Sequence, residues 1–496
     1  MAIASSHTLV VLIAVAVIIC VANALYNVFL HPLCKFPGPL LCRATPFYRH
    51  FKFLSGVLQF NIKSWHDTYG PVVRISPNEL SFISPQAWRD IYLPLTDPNG
   101  PAEMEKYDKY YRFAGPGTPD TLVTVSKKVH GPFRRQINLA FSERALRMQE
   151  PTYHHYTNLL IRKLHVDSKC GTQLVNLCEL FNYYTFDMIG NLGIGSDFGG
   201  LEHSTYHPWV KAMTHHVKEM AFIQTLTYLG FSKLVQMITS SSLLKGKVEY
   251  EQLTKEKLLS RMSRAEERAD LVEPFLKLKE PLTFDELLAN VHILIIAGSE
   301  SSASVLTVTV SLFADNPEVL RKATDEVRST FQNEDEITMV SANKLHYLFA
   351  CLNESLRRFP PSPVGLPRVT PPGGATICGY EVPENAVVAV SQWAAYHSAE
   401  NFTDPMGYHP ERHLKDPRFA QDHLDALQPF GLGHRSCPGR TLSFAETRLA
   451  LARILWNFDI ESTPSCRDWI GKQKAYILWD KQEFWAYLKP VREVAI

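Results

Sequence analysis

One cysteine stands in a setting suited to chemistry. Residues 430–439 read Phe-Gly-Leu-Gly-His-Arg-Ser-Cys-Pro-Gly. Gly431 and Gly433 let the backbone turn tightly and pass close to something large or flat. Cys437 precedes a segment that reads as a helix from about Pro438 to about Phe458, and proline is tolerated in a first helical turn. A helix N-terminus favours negative charge, so a thiolate there is favoured over a thiol. Arg435, two residues earlier, suits bidentate pairing with a carboxylate. Sulfur ligand, glycine-rich approach and carboxylate-binding arginine together describe a haem held through Cys437. Taken alone, Cys437 also fits a structural cysteine in a glycine-rich loop; the complete spacing argues against that.

Two further groups carry the pattern of a site. Ala297-Gly298-Ser299-Glu300-Ser301 places hydroxyls and a carboxyl in the middle of an apolar stretch. Serine hydroxyls can insert into the i−4 hydrogen-bond ladder and bend a helix, and a glycine weakens it locally. A polar notch for helix packing is the plainer reading. Glu354-Ser355-Leu356-Arg357 puts an acid and a base three apart, on one helical face. Cys351, Leu352 and Leu356 around them point to burial, where an ion pair needs further partners to offset desolvation.

Residues 430–439 fill every fixed position of the haem-binding loop F-x-x-G-x-R-x-C-x-G, so the chain resembles the cytochrome P450 family over essentially its whole length. The resemblance implies a mainly α fold with small β-sheets, preceded by an N-terminal transmembrane helix. It implies a haem-thiolate monooxygenase that binds haem b, with Cys437 as iron ligand and Phe430, Gly431, Arg435 and Ala297 beside the cofactor. The segment 297–301 resembles the oxygen-activation motif, with Gly298 leaving room above the iron and Ser301 where threonine is usual. Protons then pass Ser301, fed by Glu300. His130 stands where the family's W-x-x-x-R helix has tryptophan; it and Arg134 are expected on a haem propionate, as is Arg368. Glu354, Arg357 and Arg412 correspond to the family's bracing triad, with His413 in place of the usual phenylalanine.

By the same resemblance, the substrate is a lipophilic small molecule. It is oxidised with O2 and electrons from NADPH-cytochrome P450 reductase, since no flavin-binding segment is expected after Cys437. Lys127, Lys128, Arg135 and Arg440 are a candidate docking face for that partner. The pocket is expected to draw on Tyr110–Phe113, Leu294, Ala297, Val364–Leu366 and Tyr476–Ile477. The entry HPLCKFPGP and the run from Tyr69 to Asn78 resemble filamentous-fungal members, many of which tailor terpenoids, polyketides or alkaloids. Rival readings are a reductase-independent haem-thiolate isomerase or dehydratase, which Ser301 favours slightly, and a non-catalytic haem-binding protein.

These residues must be positioned by the rest of the chain. Thr283-Phe-Asp-Glu286 is a capping-box pattern, and the sequence stays largely apolar to Asn316-Pro317. That predicts a helix of roughly 30 residues, about 45 Å long, buried on nearly every face. A second membrane span is disfavoured by Glu300 and its serines. A shorter helix is predicted from about Ala342 to Phe359. Strands are predicted over Ala375–Tyr380 and Ala386–Ser391, and irregular structure from His397 to Arg435. The N-terminus, Thr8 to Leu30, is long and apolar enough to span a bilayer. A cleaved signal peptide is the alternative, but the first residues lack Lys and Arg. Lys35, Arg43, Arg49 and Lys52 follow, which places the remainder in the cytosol, at the endoplasmic reticulum membrane. The expected organisation is an anchor over residues 1–32 and one domain over 33–496. A net charge of +1 gives no argument for nucleic acid, and nine scattered Cys without a CxxC pair argue against zinc ribbons or a secreted disulfide framework.

Overall fold

The computed structural model describes residues 2–94, 103–111, 119–204, 217–239, 245–264, 268 and 270–491. The first helix is Ala2–Phe29, and within it Val10–Phe29 is apolar enough to cross a membrane. From Val10 onward its side chains are mostly exposed until the last turn. There Val28 and Asn27 become buried, and the Asn27 amide donates to the Ala44 carbonyl at 3.0 Å. Arg43 donates to the carbonyls of Val28 (3.1 Å) and Cys34 (3.2 Å). The apolar helix is thus pinned at its end to the body of the protein.

The long helix spans Phe284–Asp315, and its capping box is formed: the Thr283 hydroxyl accepts from the Glu286 N–H, and the Glu286 carboxylate accepts from the Thr283 N–H. It runs through the interior, with Leu306, Thr307, Val310 and Phe313 buried. Four of its hydroxyls are satisfied within it: Ser299, Ser304, Thr307 and Thr309 each donate to the carbonyl four residues back. It packs against the helices Leu177–Ile194, His346–Arg358 and Arg440–Asn457.

A five-stranded sheet flanks this helical body. Val72–Ser76 and Glu79–Phe82 form a hairpin; Glu79–Phe82 pairs in parallel with Val387–Val390. Val387–Val390 then pairs with Arg368–Val369, and that strand with Glu105–Lys106, both antiparallel. The register sets Lys106 beside Arg368.

Three boundaries differ from the sequence prediction. The helix predicted to start at Ala342 starts at His346, after a 3-10 turn over Ser341–Lys344. The predicted strand Ala375–Tyr380 is a hairpin, Ala375–Ile377 and Tyr380–Val382. Its turn holds Cys378 and Gly379 at φ 51° and 78°. Left-handed conformation at a cysteine is uncommon, so composition did not mark the turn. The last helix starts at Arg440, not Pro438, because Pro438 and Gly439 form a turn behind Cys437.

Candidate active site

Cys437 sits between a 3-10 turn, Gly433–Arg435, and the Arg440–Asn457 helix. Its N–H donates to the Phe430 carbonyl at 2.7 Å, which closes the loop on itself. Gly433 has φ 78°, and a Cβ there would lie 2.7 Å from the Tyr92 carbonyl oxygen, so both backbone conformation and close approach demand glycine. The Cys437 side chain is water-accessible although protein atoms ring it, so it faces a recess rather than the outer surface. Burial raises its pKa; the Gly439 N–H and the Arg134 guanidinium oppose that and favour the thiolate.

The long helix has an accessible face of its own. Leu294 and Ser301 are partly accessible and Ala297 is exposed, while Ile295, Ser299 and Ser302 to either side are buried. Residues 294, 297 and 301 follow helical spacing, and Ile293, Ile296 and Gly298 beside them are also partly accessible, so this part of the long helix has one accessible side. The Ser301 hydroxyl donates to the Ala297 carbonyl at 2.6 Å. Glu300 is 7% exposed and points elsewhere: its Oε2 is 2.9 Å from Lys481 Nζ, which also donates to Asn182 Oδ1 at 3.1 Å. Gly298 was expected to leave room beside a cofactor. Instead, a Cβ there would lie 2.6 Å from Ile189 Cδ1, so this glycine lets the long helix approach the Leu177–Ile194 helix.

Cations converge near the cysteine loop. Arg435 Nη2 is 2.9 Å from Glu103 Oε1, and Nη1 donates to the Val125 carbonyl at 3.0 Å. His434 also contacts Glu103. Arg368, 6% exposed, donates to the Tyr111 hydroxyl at 2.6 Å. Lys106 is pushed down to about 7 by burial, then by Arg435 and Arg368. His130 is pushed down to about 4 by burial, then by Arg435, Lys106 and Arg134. Arg134 donates to the Ser436 carbonyl at 2.6 Å, beside the cysteine, and its charge also acts on His130. Glu103 is the carboxylate that faces Arg435, His434 and Lys106 among the described residues. Among the described residues one carboxylate stands against the fixed charges of Arg435 and Arg368 and the depressed Lys106, so the cradle is short of negative charge and further carboxylates would complete it.

Behind the loop lies a buried ion network. Glu354 and Arg357 are fully buried; Arg357 donates to both carboxylate oxygens, at 2.7 and 3.0 Å. Arg412 approaches Glu354 at 3.4 Å and pairs with Asp422. His413, the departure from the family pattern, lies 3.1 Å from Glu354 Oε2 and so joins the cluster. Arg357 donates to the carbonyls of Tyr396, Pro405 and Gly407, and Arg412 to that of Thr403. The network therefore fastens the irregular stretch after His397. Burial alone would raise the Glu354 carboxyl, but Arg357 and His413 hold it well below the usual carboxylate range.

A model of the cytochrome P450 family matches residues 39–482. The chain is 41% identical over 470 residues to cytochrome P450 monooxygenase 1 of Neocamarosporium betae, covering 95% of this chain and 96% of that one. The chain belongs to the cytochrome P450 family. As a P450 monooxygenase it is also similar to averantin hydroxylase of Dothistroma septosporum, 36% identical over 473 residues (94% and 88% of the two chains). To trichothecene C-15 hydroxylase of Fusarium sporotrichioides it is 37% identical over 476 residues (95% and 96%). The family implies a haem, dioxygen, a redox partner and a small-molecule substrate for this P450.

Several site features of this P450 were not read from the sequence. Lys106 and Glu103 join Arg435 only through the pairing of Glu105–Lys106 with Arg368–Val369. Lys481 reaches Glu300 across 181 positions, and nothing local to either residue signals the other. Of the expected pocket residues, Tyr110 and Val364 line one cavity. Tyr476 is buried, and Phe113 lies outside the described residues. On the candidate docking face Lys127, Arg135 and Arg440 are exposed, while the side chain of Lys128 falls outside the described residues.

Proposed function

We propose that this P450 is a membrane-anchored monooxygenase that oxidises a lipophilic small molecule, a fungal secondary metabolite such as a terpenoid, polyketide or alkaloid. Residues 1–32 are its anchor and 33–496 its one catalytic domain, held on the cytosolic face of the endoplasmic reticulum membrane. NADPH-cytochrome P450 reductase supplies its electrons. The observation that carries this reading is the accessible Cys437 in its recess, with an anion-poor cradle of Arg435, Arg368, Lys106 and His130 beside it.

These residues fit haem b. Cys437 would supply the sulfur ligand, Arg435, Arg368, Lys106 and His130 would meet its two propionates, and Ala297 and Phe430 would border it. Bound there, haem supplies dioxygen binding and thiolate-assisted O–O cleavage. The chain's own part is to hold and gate. Arg134 and the Gly439 N–H keep charge on the Cys437 sulfur. Ser301 Oγ, donated to the Ala297 carbonyl at rest, turns to hold a proton at the accessible helix face. Glu300, once released from Lys481, takes up a proton from solvent and passes it to that hydroxyl. The Glu354 network keeps the cysteine loop in register.

The test is the carbon-monoxide difference spectrum of the reduced protein. A thiolate-type Soret band that is lost in Cys437→His supports the reading, and its absence from the wild type refutes it. For the substrate, the protein with reductase is incubated with extract from a strain lacking the gene. An oxidised product that needs NADPH is expected.

A further inference from the structure

A small cavity lies between the helices Phe47–Leu54 and Val217–Tyr228, with a volume of ≈ 10 Å³, which is about enough for one water-sized group. His50, Thr225, Tyr110 and Val364 line it. His50 is 3% exposed and Thr225 4% exposed. Among the described residues neither ring nitrogen of His50 has a hydrogen-bond partner, nor does the Thr225 hydroxyl. Leaving such groups unpaired in the interior is unfavourable, so the site is incomplete as the chain alone builds it.

The surroundings define what completes it. Arg49 also lines the cavity, but its charge is already met: it binds Glu79 at 2.9 Å, and the Tyr228 hydroxyl donates to the same carboxylate at 2.8 Å. Burial, then Arg49, pushes His50 down to about 2, so the imidazole is neutral, with one N–H donor and one acceptor nitrogen. The partner that fits best is therefore uncharged, the size of one oxygen, and able both to donate and to accept, so that it can meet either nitrogen of His50 together with Thr225. An alcohol or phenol meets all three conditions; an ether or ketone cannot donate, and a carboxylate brings an unpaired charge.

We propose that His50 and Thr225 form a recognition subsite for a hydroxyl group of the substrate. It rests on the reading above that the substrate is a lipophilic small molecule, and narrows it: the P450 acts on a molecule already hydroxylated away from the carbon it oxidises. An earlier hydroxylation or a ketone reduction is the class of reaction that must supply it.

The test uses the full-length haem-loaded protein and two matched probe pairs, 4-phenylphenol with 4-methoxybiphenyl and cedrol with its methyl ether, read by equilibrium dialysis. In at least one pair the hydroxyl probe is expected to bind about tenfold more tightly than its ether. Thr225→Val and His50→Phe should each shrink that ratio towards one. Thermal midpoints accompany the affinities. Removing an unpaired polar group for an apolar one of similar shape should leave the midpoint unchanged or raise it. Equal affinities within both pairs, no binding of any probe, or a ratio unchanged in the variants overturns the subsite. So does a marked fall in midpoint for Thr225→Val, which would mean that a structural water only fills the cavity. The carbon-monoxide spectrum of the same preparations separates the two readings: if the thiolate band is present, a failed ratio sinks this inference alone.

Discussion

Glu446 gives a stability prediction with a sign that runs against intuition. It lies on the Arg440–Asn457 helix at 2% exposure, among the buried Tyr153 and Tyr184. The Ser302 hydroxyl donates to Oε2 at 3.1 Å, and Oε1 has no partner among the described residues. Burial pushes the carboxyl up from 4.5 to about 8, opposed only by the Ser302 bond. The folded protein therefore keeps a proton that the unfolded chain releases. Above pH 4.5 stability falls by about 1.36 kcal/mol per pH unit until the folded group itself titrates near 8, a loss of about 5 kcal/mol in all. Glu446→Gln keeps an acceptor for Ser302 and does not titrate. It should stabilise by about 2 kcal/mol at about pH 6 and about 4 kcal/mol at about pH 8. For 496 residues the unfolding entropy is about 1 kcal/mol/K, so each kcal/mol moves the midpoint by about 1 °C. Thermal unfolding of the detergent-solubilised protein should show the variant above wild type, with the gap widening by about 2–3 °C over that pH range. A gap that is constant with pH, or a variant less stable at both ends, would refute the argument.

Three other perturbations follow from the same packing. Glu354→Gln leaves Arg357, Arg412 and His413 facing a neutral amide and should cost about 3–5 kcal/mol, read as a midpoint lowered by about 3–5 °C. Because the Glu354 carboxyl is depressed in the fold, its stabilisation is present above its ordinary pKa and lost as pH falls towards the folded value. The deficit of the variant should therefore shrink in acid. Lys481→Met strands Glu300 in the interior, whereas Lys481→Met with Glu300→Gln removes both charges. In a double-mutant cycle the pair should be destabilised less than the two single costs together, and strict additivity would show that the 2.9 Å contact carries no coupling. Gly298→Ala drives a methyl into Ile189 and should cost about 1–3 kcal/mol; adding Ile189→Val, which deletes the atom at 2.6 Å, should recover part of it.

What the sequence made legible was whatever depends on short spacing. The capping box at Thr283 and Glu286, the Glu354–Arg357 pair and the loop from Phe430 to Gly439 are local patterns, and each forms where its spacing puts it. What stayed hidden was set by tertiary approach. Gly298 reads the same whether its missing Cβ faces a cofactor or a helix; only Ile189 at 2.6 Å decides. The bond from Arg134 to the Ser436 carbonyl, 302 positions away, has no local signal either. The same logic bears on Ser301. Its identity suggested altered oxygen chemistry, but both it and Glu300 are held by other groups at rest: the one by the Ala297 carbonyl, the other by Lys481. A serine lacks the methyl that restricts χ1, so its hydroxyl is freer than a threonine's to leave that bond. On the proton route proposed above, the strength of the Glu300–Lys481 pair, more than the missing methyl, governs how readily protons reach the accessible face of the helix. Lys481→Met should accordingly alter the ratio of product formed to NADPH consumed, and Ser301→Thr should alter it less. The reverse order would place the gate at the hydroxyl.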